Sequence, residues 1–167
     1  RTFSSAASDV YKRQVNGCSV SVVYLVENIT NPDLGIGDAG SLTGCDVLEI
    51  CFPLTDHQNN HDSTVYTIDF GDGSPIEIYG HPPPDTVCHT YSDSHCENGG
   101  SAYTFSATAE NSCFTKEITV SPILIFKGPQ ADFSWAPDPA CVNNAIIFNN
   151  DSDPGNGPNC AEFAVYD

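Results

Sequence analysis

Very little in this sequence is basic, and nothing in it is both long and apolar. Five Lys and Arg stand against 22 Asp and Glu, a formal net charge of −17. A field of that sign repels phosphate backbones and anionic headgroups, which argues against nucleic acid and membrane surfaces as partners. No run approaches the length of apolar chain that a membrane-spanning helix needs. Methionine is absent, and Trp135 is the single tryptophan. No C-x-x-C pair occurs among the eight cysteines, so they lack a familiar zinc spacing. There is no G-x-S-x-G, and the five histidines fall in loop-like runs or in His89-Thr90-Tyr91, so a non-enzymatic protein is expected.

What is present favours strands and turns. Thirteen Gly, 12 Pro and many Thr, Val, Ile and Tyr argue against a helix bundle. The apolar residues are spread in short runs rather than missing, which argues against disorder. The length suits one full domain and part of another. Eight cysteines, an even number, point to disulfides and hence to an oxidising compartment, extracellular or at a cell surface. In 47–52 the residues Leu48, Ile50 and Phe52 share one face, as do Tyr66, Ile68 and Phe70 in 65–70, and Tyr103, Phe105, Ala107 and Ala109 in 103–109. Such alternation, bounded by turn residues, marks half-buried strands. Further strands are expected near 18–27, 75–79, 87–91, 115–126 and 131–135, with loops at 53–64 and 80–86. The pattern predicts an all-β chain built on an antiparallel β-sandwich.

An internal repeat sets the domain boundaries. Cys45 and Cys141 each open a run of Cys, six residues, Phe, at an offset of 96. The segment around Cys113 matches that around Cys18 at an offset of 95, and 163–167 matches the run ending at Asp69 at an offset of 98. A period near 96 residues predicts a tandem array cut out of phase. Residues 15–30 are then the last strand of a preceding module, 31–127 a whole module, and 128–167 the first half of the next, with the natural chain continuing past Asp167. Residues 1–14 differ in composition, holding Arg1, Lys12 and Arg13 of the five basic residues. They read either as a translated sequencing-adapter artefact or as a disordered tail.

The whole module carries Tyr66-Thr-Ile-Asp69-Phe70-Gly71-Asp72-Gly73-Ser74, then His89-Thr90-Tyr91, then Ala102-Tyr103-Thr104-Phe105-Ser-Ala-Thr-Ala-Glu110-Asn111. This resembles the polycystic-kidney-disease (PKD) Ig-like repeat, with its DFGDG, HxY and YTVTLTVTN elements. Ala131-Asp-Phe-Ser134 before Cys141 is similar to the opening strand of that family. Two departures stand out: Ile68 where the family usually has Trp, and the insertion between Tyr91 and Tyr103. The resemblance implies an Ig-like sandwich, typically a non-catalytic spacer or interaction module. The residues themselves give Asp69, Gly71, Asp72, Gly73, His89 and Tyr91 fold-maintaining roles. Gly71 and Gly73 permit positive φ in a tight turn, the two aspartates accept backbone N–H groups across it, and His89 and Tyr91 pack on the sheet.

The repeat frame suggests a Cys45–Cys113 disulfide tying the first and last parts of the module, and a local Cys88–Cys96 staple across the start of the insertion. Cys18 and Cys141 would find partners in flanking modules or in another copy of the chain; Cys51 and Cys160 stay unassigned. Asn150–Gly157 is rich in oxygen ligands, with Asp151 and Asp153 as calcium candidates, although it lacks EF-hand spacing and a polar hairpin loop is the competing reading. No other cofactor is expected. Asn28 and Asn150 head N-x-S/T sequons, and the settings of Ser63 and Thr86 resemble a bacterial O-glycosylation signal, so these four are candidate glycan sites. The expected function is that of a structural spacer in an extracellular Ig-like array, a stalk or filament subunit linked head to tail, with neighbouring modules or copies of itself as partners. The alternative is an accessory carbohydrate- or protein-binding module of a secreted hydrolase or adhesin, with Tyr79, Trp135 and Tyr166 as aromatic candidates and Trp135 expected in the core.

Overall fold

The computed structural model describes residues 7–15, 18–26, 29–97, 99–136, 142, 145–157 and 159–161, the first two stretches by their backbone alone. The strands are β1 (Ala7–Val15), β2 (Cys18–Val26), β3 (Gly35–Ile36), β4 (Thr43–Cys45), β5 (Leu48–Thr55), β6 (Val65–Asp69), β7 (Glu77–Gly80), β8 (Thr86–Tyr91), β9 (Tyr103–Glu110), β10 (Thr115–Phe126), β11 (Phe133–Ala136) and β12 (Ile147–Asn150). Among the described residues there is no helix, and the chain is all-β. Two sheets make up the centre, one in the order β4-β10-β9-β6-β7 and the other β3-β5-β8. Their neighbours are antiparallel except β4, which runs parallel to β10 with Thr43 opposite Leu124 and Cys45 opposite Phe126. The pairs β1-β2 and β11-β12 form separate two-stranded sheets.

Alternation decides which side chains meet. In β5 the residues Ile50, Phe52 and Leu54 turn inward; in β9 Tyr103, Phe105, Ala107 and Ala109 do the same. Phe52 of the three-stranded sheet stacks on Phe105 of the five-stranded one with ring centroids 3.9 Å apart, so both sheets contribute to one core. Burying each such ring is worth roughly 1.5–3 kcal/mol. β10 needs a correction of phase to stay in this core. Its even-numbered residues Ile118 and Val120 lean inward, whereas farther along the odd-numbered Ile123 and Ile125 are buried. The register shift between Val120 and Ile123, spanning Ser121 and Pro122, makes the change. A bulge also accommodates a proline that cannot donate to the ladder.

The strands with clear alternation fall close to where the sequence places them, although β5 runs on through Pro53–Thr55, expected as loop, because Leu54 continues its inward face into the core. β3 and β4, of two and three residues, are too short to show a period. β1 takes up most of the stretch expected as a tail: Ala7–Gln14 is drawn out against β2, whose unpaired edge offers backbone groups to bond. The loop after β5 is less simple than its polar composition suggests, since His57, Asn60 and Thr64 are buried. Asn60 explains the tuck. It accepts from Asp33 N–H (2.8 Å) and donates to Asp33 C=O (2.7 Å) and to the Tyr66 hydroxyl (2.7 Å), which fastens the chain just before β3 to β6.

Candidate functional site

The turn after β6 is held by side-chain hydrogen bonds from within and from β8. Asp69 Oδ1 accepts from Gly71 N–H at 2.8 Å, and Asp72 Oδ1 from Ser74 N–H at 3.0 Å. Gly71 and Gly73 take φ of 77° and 87°, a region that glycine enters freely. The connection is a seven-residue loop, Phe70–Ile76, rather than a tight turn, because β7 begins only at Glu77. From β8, His89 Nε2 donates to Asp72 Oδ2 at 2.6 Å, with both side chains largely buried. The His89 ring stacks on Phe70 at 4.1 Å and meets Tyr91 edge-on at 4.8 Å. Tyr91 donates its hydroxyl proton to Phe70 C=O at 3.0 Å.

The electrostatics agree with that geometry. Burial pushes the Asp72 carboxyl up, but the bonds from Ser74 and His89 outweigh it and hold the group below its ordinary value. Burial, with Asp72 and Asp69 nearby, pushes the Tyr91 phenol well up, so it remains a donor. Chemically this arrangement braces the turn against β8.

The described cysteines pair differently from the expected scheme. Cys51 bonds Cys88, and Cys96 bonds Cys160; Cys45 and Cys113 are free and exposed. Cys51 and Cys88 are directly opposed on β5 and β8 with Cα atoms 4.0 Å apart, so Cys88 is not available to Cys96. Cys45 lies opposite Phe126 at the end of β10, whereas Cys113 precedes its beginning at Thr115. A twelve-residue strand separates the two. At about 3.3 Å per residue that is on the order of 40 Å, far beyond the reach of a disulfide. The side chain of Cys18 and the whole of Cys141 lie outside the described residues.

The Cys96–Cys160 bond belongs to a junction between the central sheets and the segment that follows. Lys127 N–H donates to Asn156 Oδ1 (2.8 Å), Asn156 N–H donates to Lys127 C=O (3.0 Å), and Gln130 pairs with Asp153 through both backbone bonds. Lys127 Nζ also donates to Asp153 Oδ2 at 2.6 Å. That bond, and the one from Gly155 N–H, hold the Asp153 carboxyl below its ordinary value. The calcium candidate Asp153 is therefore engaged by a lysine, while Asp151 is exposed and uses its N–H on Asp132 C=O. Among the described residues, the one group of three metal-type side chains within reach of a shared ion is His95, Cys96 and Cys160. The sequence points to none of the three as a set, because the partners are 64 residues apart and His95 sits in what reads as a loop insertion.

The remaining candidates are dispersed. Asn150, Ser63 and Thr86 are exposed, and Asn28 lies outside the described residues. His57 and His61, four residues apart, do not converge: His57 Nε2 lies 3.6 Å from Asp85 Oδ1, and His61 Nδ1 lies 2.8 Å from Ser63 Oγ. Tyr79 packs against the core, and Tyr166 lies outside the described residues. Trp135, expected inside, is 48% exposed beside Phe133 and Phe148, because β11 and β12 have no second sheet over them among the described residues. No helix of the described residues is long and apolar enough to cross a membrane, and the two disulfides fit an oxidising environment. Compared with known proteins, the chain matches no family model, no curated protein and no solved structure.

Proposed function

We propose that the chain is part of a tandem array of PKD-type Ig-like β-sandwiches that acts outside the cell as a non-catalytic spacer. The observation that carries this reading is a duplicated register. In β1-β2 Gln14 faces Ser19 and Val10 faces Val23; in β9-β10, 96 residues on, Glu110 faces Thr115 and Ser106 faces Thr119. The hairpin before the central module is thus paired as the module's own closing hairpin is. At the other end β11-β12 repeats the β3-β5 pair to within one residue, and Phe148 stands 96 residues after the core residue Phe52. The exposed Phe133, Trp135 and Phe148 are then the inner face of the next sandwich.

Strand order supports the Ig-like part. A β3-β5-β8 sheet with a β4-β10-β9-β6-β7 sheet has the A-B-E and A′-G-F-C-C′ arrangement, the first strand being shared between sheets. The ends support the array. The chain comes in beside the turn before β10, where Asn111 Nδ2 donates to Thr30 C=O (2.8 Å) and Cys113 Sγ lies 3.2 Å from Ile29 O. It leaves at the far end of β10, beside Cys45. One period after Ile29 stands Ile125, next to the Phe126 that faces Cys45. In a tandem, each Cys113 equivalent therefore comes beside the Cys45 of the module before it, which supplies a head-to-tail covalent link.

Small-angle X-ray scattering of the chain tests the array. An extended particle is expected, with a radius of gyration well above the roughly 15 Å of a compact chain of this length. A value near that figure would overturn the proposal. The exposed Phe133, Trp135 and Phe148 favour a second reading, an accessory module stacking aromatics on sugar rings. Retention on insoluble polysaccharide that is lost in Trp135→Ala would select it.

A further inference from the structure

The strongest unassigned feature is the contact between His95 and the two sulfurs of the junction. His95 is 1% exposed. Its Nδ1 lies 2.6 Å from Ile125 C=O, and a carbonyl cannot donate, so Nδ1 carries the proton. In the neutral ring Nε2 is then a bare acceptor. It faces Cys96 Sγ at 3.7 Å and Cys160 Sγ at 3.8 Å. Disulfide sulfurs have no proton to give, so this buried lone pair has no donor in the oxidised state. A histidine whose far nitrogen is fixed by a backbone carbonyl, with the near one aimed at sulfur, has the orientation seen in metal-bound imidazoles.

We propose that His95, Cys96 and Cys160 form a redox-gated seat for a soft divalent cation of the zinc type. With Zn–N near 2.0 Å and Zn–S near 2.3 Å, a tetrahedral ion sets nitrogen and sulfur about 3.6 Å apart and two sulfurs about 3.8 Å apart. Both nitrogen–sulfur edges are already close to that length, and only the sulfurs must separate. A two-electron reduction by an external dithiol breaks the S–S bond and leaves two thiols, the dithiol becoming a disulfide. Binding of the cation then releases the two thiol protons. With three protein ligands, the fourth position of the tetrahedron is left for water. In either state the segment holding Cys160 stays fastened to the module, by a covalent bond or through the ion. The inference does not depend on the chain being a spacer.

Cobalt(II) is the probe, added to the full chain with Cys18, Cys45, Cys113 and Cys141 replaced by serine. After reduction with a phosphine, one equivalent per chain is expected, with a thiolate-to-cobalt absorption band and visible bands of tetrahedral intensity. The oxidised chain should take up none. His95→Asn should weaken binding at least tenfold, and Cys160→Ser, outside the core, should do the same with an unchanged far-UV circular dichroism spectrum. Cys51→Ser/Cys88→Ser should leave binding intact. Absence of uptake by the reduced chain, uptake unaffected by Cys160→Ser, or uptake abolished by Cys51→Ser/Cys88→Ser would overturn the proposal.

Discussion

Gly71→Ala against Gly73→Ala separates two reasons for glycine in the same turn. Both residues have positive φ, so either alanine carries the left-handed cost of about 1–2 kcal/mol. At Gly73 a new Cβ meets nothing within 4 Å, and the cost ends there. At Gly71 it would overlap the carbonyl oxygen of Thr104 and stand 2.8 Å from its carbonyl carbon and 2.9 Å from its nitrogen. These are backbone atoms of the central strand β9, which has β6 on one side and β10 on the other, so they cannot swing away as a side chain would. Relieving such an overlap adds about 1–3 kcal/mol. Gly71→Ala should therefore lose about 3 kcal/mol or more, and Gly73→Ala about 1–2 kcal/mol. The assay is urea unfolding followed by far-UV circular dichroism and tyrosine fluorescence, with m-values compared to confirm that the transition is unchanged in kind. A gap near 2 kcal/mol corresponds to about 10 °C in melting temperature for a module of this size. Equal losses at the two positions would refute the close approach of the turn to β9.

Asp72→Asn should destabilise the module at neutral pH by about 1–2 kcal/mol, since it removes a charge-assisted acceptor from His89. Because the folded carboxyl titrates below its unfolded value, its contribution is present above about pH 4 and is lost as pH falls through the folded value. The difference between wild type and variant should therefore shrink toward pH 2.5 in urea titrations; a difference that grows on acidification would contradict the assignment. Phe105→Ala, at the stacking contact between sheets, should cost about 3–5 kcal/mol in the same assay. Alkylation of the folded, unreduced chain, read by peptide mass spectrometry, should label Cys45 and Cys113 and spare Cys51, Cys88, Cys96 and Cys160. Labelling of Cys88 without reductant would rule out its bond to Cys51.

The parts of this fold that could be read in the chain are those with a local period. β5, β6 and β9 show their inward faces as every second residue, and the aspartates and glycines of 69–73 state the turn chemistry in their own side chains. Cysteine pairing is not local. Cys51 finds Cys88 only because β5 and β8 are neighbours in a particular register, and a slip of one residue would turn both away from each other. Cys45 and Cys113 read as neighbours across the first and last strands of the centre; what the sequence does not say is that β4 joins the far end of β10, away from Cys113. Trp135 reads as core and is half exposed because no second sheet lies over β11 and β12 among the described residues. His95 gives no sign of burial, since the acceptor that holds it lies 30 residues away: its own N–H, its ring Nδ1 and the Ser94 hydroxyl all bond to Ile125 C=O.

The parallel placing of β4 beside β10 bears on what happens under tension. The first of these strands comes early in the two central sheets and the second comes last in them, and they point the same way. A pull on the two ends drags them past each other along their length, so the bonds from Thr43–Cys45 to Leu124–Phe126 are strained in shear together rather than unzipped singly. Resistance of that kind is concentrated in a very short patch, which makes those few residues the place where the central sheets, if stretched, would first give way.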